Sequence, residues 1–480
     1  MSAASTIQRL ALSVRLPQLA KRSAEWAVVR WLLPLALLHG LLYLALVPPW
    51  EHYDEPGHFL YAAEIAAGEL GGRGPNAVSI SREVADSMYR HRFLGGAFRP
   101  DLLQPGPVRV GEDQRVHPPF YYAVVGAILK PARFLSVEVQ LYLARALSLV
   151  LYALTIITAW RITVAVLPNQ PLAQLAIPLM VLLNPAFTDL MTALNNDVLL
   201  NFALTVALLG AVLLVRDGLS PARLLLMLLA LGVAVAVKRT ALAAILPLAL
   251  AVVWGAHRNK LSFQVCLMGV ALCLVVAYAS LELVLVGGLS ESHWVLAPRP
   301  WLASLDRQYL RLDLASWFRS VSDMTLAGQR YQLLASVGFV SFWARLSWGN
   351  VALPPAWDWL FAGLVFGSLL GLVVGARRAS AQFPLWQRRC LWLFALTITV
   401  ACLALVARLH PLPPIDQPIY VPRGRYVFWA ILPVTCLLCL GYQWLLPLRW
   451  RSLGLWALVA FFAVTDITAL AVLANAYYRA

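Results

Sequence analysis

The chain has 480 residues, of which 61% are hydrophobic and 13% charged, with a mean hydropathy of +0.72. A soluble domain is roughly half apolar and a quarter charged, so the composition excludes one and fits a polytopic α-helical membrane protein. The formal charge of +15 invites a nucleic-acid reading, but the basic residues gather at alternate junctions between apolar runs, which is membrane topology and excludes it.

A basic leader with Arg9, Arg15, Lys21 and Arg22 precedes an apolar run from Trp31 to Val47. That run is long for the core of a signal peptide and no small-residue cleavage site follows, so it reads as an uncleaved first helix. With about twenty residues per crossing, the sequence predicts an all-α integral membrane protein with about eleven spans. These fall roughly at 31–49, 140–160, 172–190, 197–215, 224–237, 240–255, 263–286, 357–375, 390–408, 426–446 and 453–474. Arg161, Arg216, Arg223, His257, Arg258, Lys260, Arg377, Arg378, Arg388, Arg389, Arg449 and Arg451 then lie with the N-terminus in the cytoplasm, and the C-terminus outside. Segment 118–129 is too short to cross and would invert every later junction, so it is expected to be an interfacial or re-entrant helix on the outer surface. The whole chain, 1–480, reads as one polytopic membrane domain in the bacterial plasma membrane. Its six cysteines fall in predicted spans, where they behave as small apolar residues.

Polar complexity is confined to three outer loops, at about 48–139, 287–355 and 409–425. The first opens with Glu51-His52-Tyr53-Asp54-Glu55-Pro56-Gly57-His58, just where a helix leaves the bilayer. Charge near hydrocarbon is expensive, so ionisable groups there are candidates for a functional site. A short helix is expected from Phe59 to Leu70, and the loop closes at His117-Pro118-Pro119-Phe120-Tyr121-Tyr122. The second loop alternates aromatic and basic residues, among them Trp294, Trp301, Tyr309, Trp317, Arg319, Trp343, Arg345 and Trp348. Amphipathic segments lying on the bilayer would have that pattern, since tryptophan and tyrosine favour the headgroup level. The third loop ends in Arg423-Gly424-Arg425-Tyr426.

An acidic pair after the first helix, a later His-Pro-Pro, an arginine leading the next span and an outward aspartate resemble the GT-C superfamily of membrane glycosyltransferases, in the manner of protein O-mannosyltransferases and lipid A aminoarabinose transferases. Four ordered blocks, Asp54–His58, His117–Tyr122, Ser341–Trp348 and Gly424–Tyr426, resemble more closely a bacterial family of multi-span membrane proteins without assigned activity. Where that family's tryptophan block has glycine, this chain has Ala344 and Ser347. The resemblance implies a sugar carried on polyprenyl phosphate, an acceptor at the outer face and a departing lipid phosphate. In that chemistry Asp54 is the candidate general base, or a ligand, with Glu55, of a divalent cation. Glu55 and His58 complete the candidate catalytic set, although both acids also suit the start of a helix. The phosphate needs preorganised cations, for which Lys238, Arg239 and Arg425 beside Tyr426 are the candidates. His117, Arg345, Arg145 and Asp197 are further substrate-site candidates. The resemblance implies that Arg145 pairs with the first-loop acids, while Asp197 also suits the cap of the next helix. A transporter with inverted repeats and a non-catalytic subunit of a membrane complex are the rival readings. The sequence shows no matching halves, and a docking subunit needs no outward constellation of acid and base.

Overall fold

A computed structural model of the protein describes residues 28–69, 74–111, 113–261, 263–286, 326–407 and 421–479. It is helical almost throughout. The helices are α1 (Val28–Leu46), α2 (Glu55–Ala67), α3 (Pro75–Arg90), α4 (Phe120–Leu129), α5 (Val137–Val166), α6 (Pro171–Leu182), α7 (Pro185–Met191) and α8 (Asn196–Asp217). They continue as α9 (Pro221–Val237), α10 (Ile245–Arg258), α11 (Phe263–Val286), α12 (Leu326–Trp343), α13 (Ala356–Gln382), α14 (Leu385–Ala407), α15 (Ile431–Leu445) and α16 (Arg451–Tyr478).

Among the described residues, eight helices are long and apolar enough to cross a membrane, or nine if the bent pair α6–α7 counts as one span. The protein is thus an all-α integral membrane protein, but the expected count of eleven is not reached. Helix α9 has 17 residues, about 25 Å at 1.5 Å per residue, which falls short of a hydrocarbon core of about 30 Å. The expected span 263–286 coincides with α11 but is also not among the eight. Nor is 172–190 one straight helix: α6 and α7 meet at 64°. The reason is local. Pro185 suits the first turn of a helix and not its interior, and Asn184 caps α7 by accepting from the Phe187 amide at 2.9 Å. The carbonyl freed at the break, that of Leu182, accepts from Thr188 Oγ1 at 2.8 Å and Tyr152 Oη at 3.0 Å.

Segment Phe120–Leu129 is a ten-residue helix, as its length predicts, packed on α2. The helix expected over Phe59–Leu70 begins earlier, at Glu55, and ends at Ala67. One departure from an all-α chain is a two-residue antiparallel ladder, Arg345–Leu346 (β1) against Val351–Ala352 (β2), pairing Arg345 with Ala352. The expected aromatic segments before residue 326, and most of 409–425, lie outside the described residues.

Helix α8 lies against α5, α9 and α10, and α13 against α15. In the second contact Gly371 faces the Gly441 backbone so closely that a Cβ would collide with it; small residues at such crossings let helices approach in lipid. A polar knot is buried between α1, α5 and α16: His39 lies 3.0 Å from Tyr152 Oη and 2.9 Å from Asp466 Oδ2, and Tyr43 donates to Asp466 Oδ1 at 2.6 Å. The helix ends gather at two poles. Tyr478 Oη donates to Leu46 O at the pole that carries α2–α4, and Gln387 Nε2 donates to Val166 O at the other.

Candidate active site

Past the end of α1 the chain turns through Pro48-Pro49, and two non-glycine residues take left-handed backbone, Trp50 at φ 74° and Asp54 at φ 58°. Such conformations cost of order 1–3 kcal/mol and persist only where the surroundings impose them. Here the surroundings are Trp50 Nε1 on Ser87 Oγ (2.9 Å) and Trp348 Nε1 on the Trp50 carbonyl (3.2 Å). Asp54 occupies the cap position of α2, yet its side chain makes no capping hydrogen bond. It faces Arg425 instead, whose Nη2 donates to Asp54 Oδ2 at 2.8 Å. Arg425 also lies over the Tyr53 ring, 3.5 Å from its centroid, a cation–π contact.

Glu55 points the other way. Arg145 Nε and Nη2 donate to its two oxygens at 2.8 and 2.6 Å, and neither side chain has exposed surface. Trp50 N and Leu194 N add donations at 3.1 Å each. Arg145 spends its remaining donors on the Leu44, Val47 and Pro48 carbonyls, which end α1. Burial acts to raise the Glu55 pKa, but Arg145 overcomes it and holds the carboxyl below its usual range. Every oxygen of Glu55 is therefore engaged in joining α1, α2, α5 and the turn before α8, and its geometry is that of a lock. Asp54 and Glu55 do not form a paired-carboxylate cation site, since each faces a different guanidinium. Among the described residues there is no group of three or more His, Cys, Asp or Glu side chains suited to a metal ion.

A second ion pair stands behind the first. Lys238, at the end of α9, is buried and donates to Asp197 Oδ1 at 2.5 Å and to Asn196 Oδ1 at 3.4 Å. Asp197 is not the cap of α8; Asn195 is, accepting from the Asp197 amide at 2.9 Å. That leaves Asp197 in the first turn, where a carboxylate also suits the helix dipole. Its Oδ2 is buried without a hydrogen-bond partner. Lys238 also lies 5.2 Å from the Tyr426 ring centroid. His58 stacks on Tyr122, with Nδ1 3.0 Å from the Tyr122 hydroxyl, to which Asn196 Nδ2 donates at 3.3 Å. Burial pushes the His58 pKa well down, and the nearby charges of His117, Lys238 and Arg425 push it further, so His58 is neutral at pH 7.

The structure thus brings together Asp54, His58, His117, Asp197, Lys238, Arg425 and Tyr426, drawn from three of the four sequence blocks and two helix termini. The fourth block places Arg425. The Ser341 hydroxyl accepts from the Gly424 amide at 2.7 Å, and a Cβ at Gly424 would collide with the Gly338 carbonyl and Phe342 backbone. Only glycine lets Arg425 sit there. Ser347, where the resembled family has glycine, indeed has left-handed backbone, φ 55°; its amide donates to Asp189 Oδ2 at 2.6 Å and its hydroxyl is 2.6 Å from Tyr477 Oη.

Arg345 and Arg423 join Arg425 around a small cavity of about 30 Å³, also lined by Tyr53, Asp189 and Ser347. Arg345 lies 3.6 Å from Asp358, and Arg423 donates to the Trp348 carbonyl. Arg239 is half-buried at the start of the 3-10 turn Arg239–Ala244. A larger cavity of about 460 Å³ opens between α2, α3 and residues 107–115, beside a Glu64–Arg115 ion pair. Sequence reasoning misses Tyr53, Arg423 and Asp189, the last 2.9 Å from His52 Nδ1. An acid inside an apolar run is the signal that was available for Asp189. Tyr53 and Arg423 give none, because their roles come from tertiary contact alone.

No protein family and no curated protein matches the chain. Among solved structures it is similar to the archaeal oligosaccharyltransferase AglB from Archaeoglobus fulgidus in complex with an inhibitory peptide and a dolichol-phosphate, with 13% identity and a TM-score of 0.44. That similarity takes in 92% of this chain and 56% of AglB, so the chain spans little more than half of AglB's length. It is also similar to ArnT from Cupriavidus metallidurans, bound to undecaprenyl phosphate (15% identity, 92% of this chain and 77% of ArnT, TM-score 0.35) and in the apo state (16%, 93% and 78%, 0.34).

Proposed function

We propose that the protein is a GT-C-like glycosyltransferase that moves a sugar from a polyprenyl-phosphate donor to a hydroxyl acceptor at the outer face, with Asp54 as general base. The observation that carries this reading is the pair of linked charges, Asp54–Arg425 and Asp197–Lys238, at the pole where α1 and α9 end and α8 begins. In the reaction the acceptor oxygen attacks the anomeric carbon and the carbon–oxygen bond to phosphate breaks. The electron pair leaves on the phosphate, and the acceptor proton passes to Asp54.

The resting geometry suggests how the two events are coupled. Arg425 holds Asp54, and the arginine-lined cavity of about 30 Å³ beside it has room for two or three water molecules but not for a sugar phosphate, as one water needs about 10–15 Å³ of that measure. An arriving phosphate, able to take two guanidinium donors where Asp54 takes one, would draw Arg425 off Asp54 and release the carboxylate. Arg345 and Arg423 stand where they can share the phosphate charge, and Lys238 with Asp197 keeps a second cation in reserve. Neutral His58 on Tyr122 shapes the wall.

The test is mass spectrometry of lipid co-purified with the detergent-solubilised protein, comparing wild type with Arg425→Ala and Lys238→Ala. Polyprenyl phosphate or its glycosylated form in wild type, depleted in the variants, is the expected result. Ordinary phospholipid alone in all three would refute the donor class.

A further inference from the structure

The second pole of the bundle carries a site that the transferase reading does not use. Helix α8 runs from Asn196 at the candidate site to Asp217 at the far end, 22 residues or about 33 Å away. There the last turn of α10 and the first turn of α14 enclose a cavity of about 480 Å³ lined by His257, Arg258, Lys260, Leu261, Leu385, Trp386 and Arg389. Four of the seven linings are basic or imidazole groups and none is acidic. His257, Arg258, Lys260 and Leu385 are exposed. None of the cations forms an ion pair with a carboxylate among the described residues; the nearby acid, Asp217, is paired with Arg216 and Arg223 and reaches only Arg258 of the lining, through space. Arg389 lies over the Trp254 ring, 5.9 Å from its centroid.

We propose that this cavity binds the phosphodiester headgroup of an anionic membrane lipid. The charge selects a phosphate. The position selects a lipid: the cavity lies between two membrane helices at the end of their apolar runs, where basic pockets hold anionic headgroups. Leu261 and Leu385 give acyl chains an apolar exit, and Trp386 is an indole at the headgroup level. A water-soluble phosphate would match the cations but have no use for that apolar margin.

The experiment is thermal denaturation of the detergent-purified full chain titrated with phosphatidylglycerol, with phosphatidylcholine, and with soluble glycerol phosphate. Wild type is compared with the double variant Lys260→Gln/Arg389→Gln, and with Arg449→Gln/Arg451→Gln, which removes equal charge at the same pole outside the cavity. Phosphatidylglycerol alone should raise the melting temperature of wild type and of the control pair. In the cavity variant its apparent affinity should fall about 30-fold, from two cations each contributing roughly a headgroup-level attraction. Equal response to phosphatidylcholine, equal response to glycerol phosphate, or an unchanged affinity in the cavity variant would each overturn the proposal. Because the variants leave the Asp54 pole untouched, a failure here is separate from any failure of the transferase reading.

Discussion

Replacing Arg145 by glutamine should destabilise the protein by about 3–5 kcal/mol, the range for removing one partner of a buried ion pair. Arg145 and Glu55 have no exposed side-chain surface, so solvent cannot compensate the carboxylate left behind. The Leu44, Val47 and Pro48 carbonyls lose their donor as well, each worth roughly 1 kcal/mol. Glu55→Gln should cost a similar amount, because two amide donors and a guanidinium then face a neutral group. The double variant Glu55→Gln/Arg145→Gln should lose much less than the sum, since no charge remains buried. The assay is a double-mutant cycle on melting temperature in detergent, with sugar transfer measured at a temperature where every variant is folded. Glu55→Gln should then retain transfer. If it melts like wild type and yet transfers nothing, Glu55 acts in the chemistry and the lock interpretation is wrong.

At Asp54 the opposite pattern is expected. Asp54→Asn keeps a residue that tolerates left-handed backbone and still accepts from Arg425, so its melting temperature should stay near wild type while transfer falls about 10²–10⁴-fold; retained transfer refutes the base. Gly424→Ala forces a methyl group into the Gly338–Phe342 backbone and should cost about 1–3 kcal/mol. It should also weaken polyprenyl-phosphate retention by moving Arg425, and a variant with unchanged melting and lipid content would refute that placement. Glu51, buried past the end of α1 with Leu94 N on one oxygen at 2.7 Å, has its pKa pushed up to about 7, chiefly by burial. The fold therefore binds a proton that the unfolded chain has released, so this contribution is full below about pH 4.5 and is lost as pH rises to about 7. Over that window it amounts to about 3 kcal/mol. Melting curves from pH 5 to 8 should show Glu51→Gln gaining on wild type as pH rises; parallel curves would refute the shift.

The apolar runs were legible because crossing a bilayer leaves so little freedom in composition, and each expected span coincides with a helix or with the bent pair. The break at Asn184-Pro185 was also written in the chain, as a cap followed by a proline, but hydropathy averages over it. Site membership was legible for charges in improbable places. Lys238 interrupts an apolar stretch, and Arg425 sits between glycine and tyrosine. The resemblance implied that Arg145 meets the first-loop acids, as it meets Glu55, but which acid faces which cation could not be read. Asp54 and Glu55 are adjacent and chemically alike, yet one turns to Arg425, 371 positions away, and the other to Arg145, 90 positions away. That division depends on one left-handed residue, and spacing carries no trace of it. Asp197 reads as a cap from its place before an apolar run, but Asn195 takes the role because only its side chain reaches the free amide.

The backbone at Asp54 also bears on how such a gene can drift. Left-handed geometry there admits glycine freely and aspartate or asparagine at less cost than other side chains. A single base change converts an aspartate codon to either alternative, so a copy released from selection for chemistry would slide first to Asn or Gly with its architecture intact. The residue at this position in related chains would then separate lineages that still catalyse from those kept only as scaffolds, before any of them is assayed.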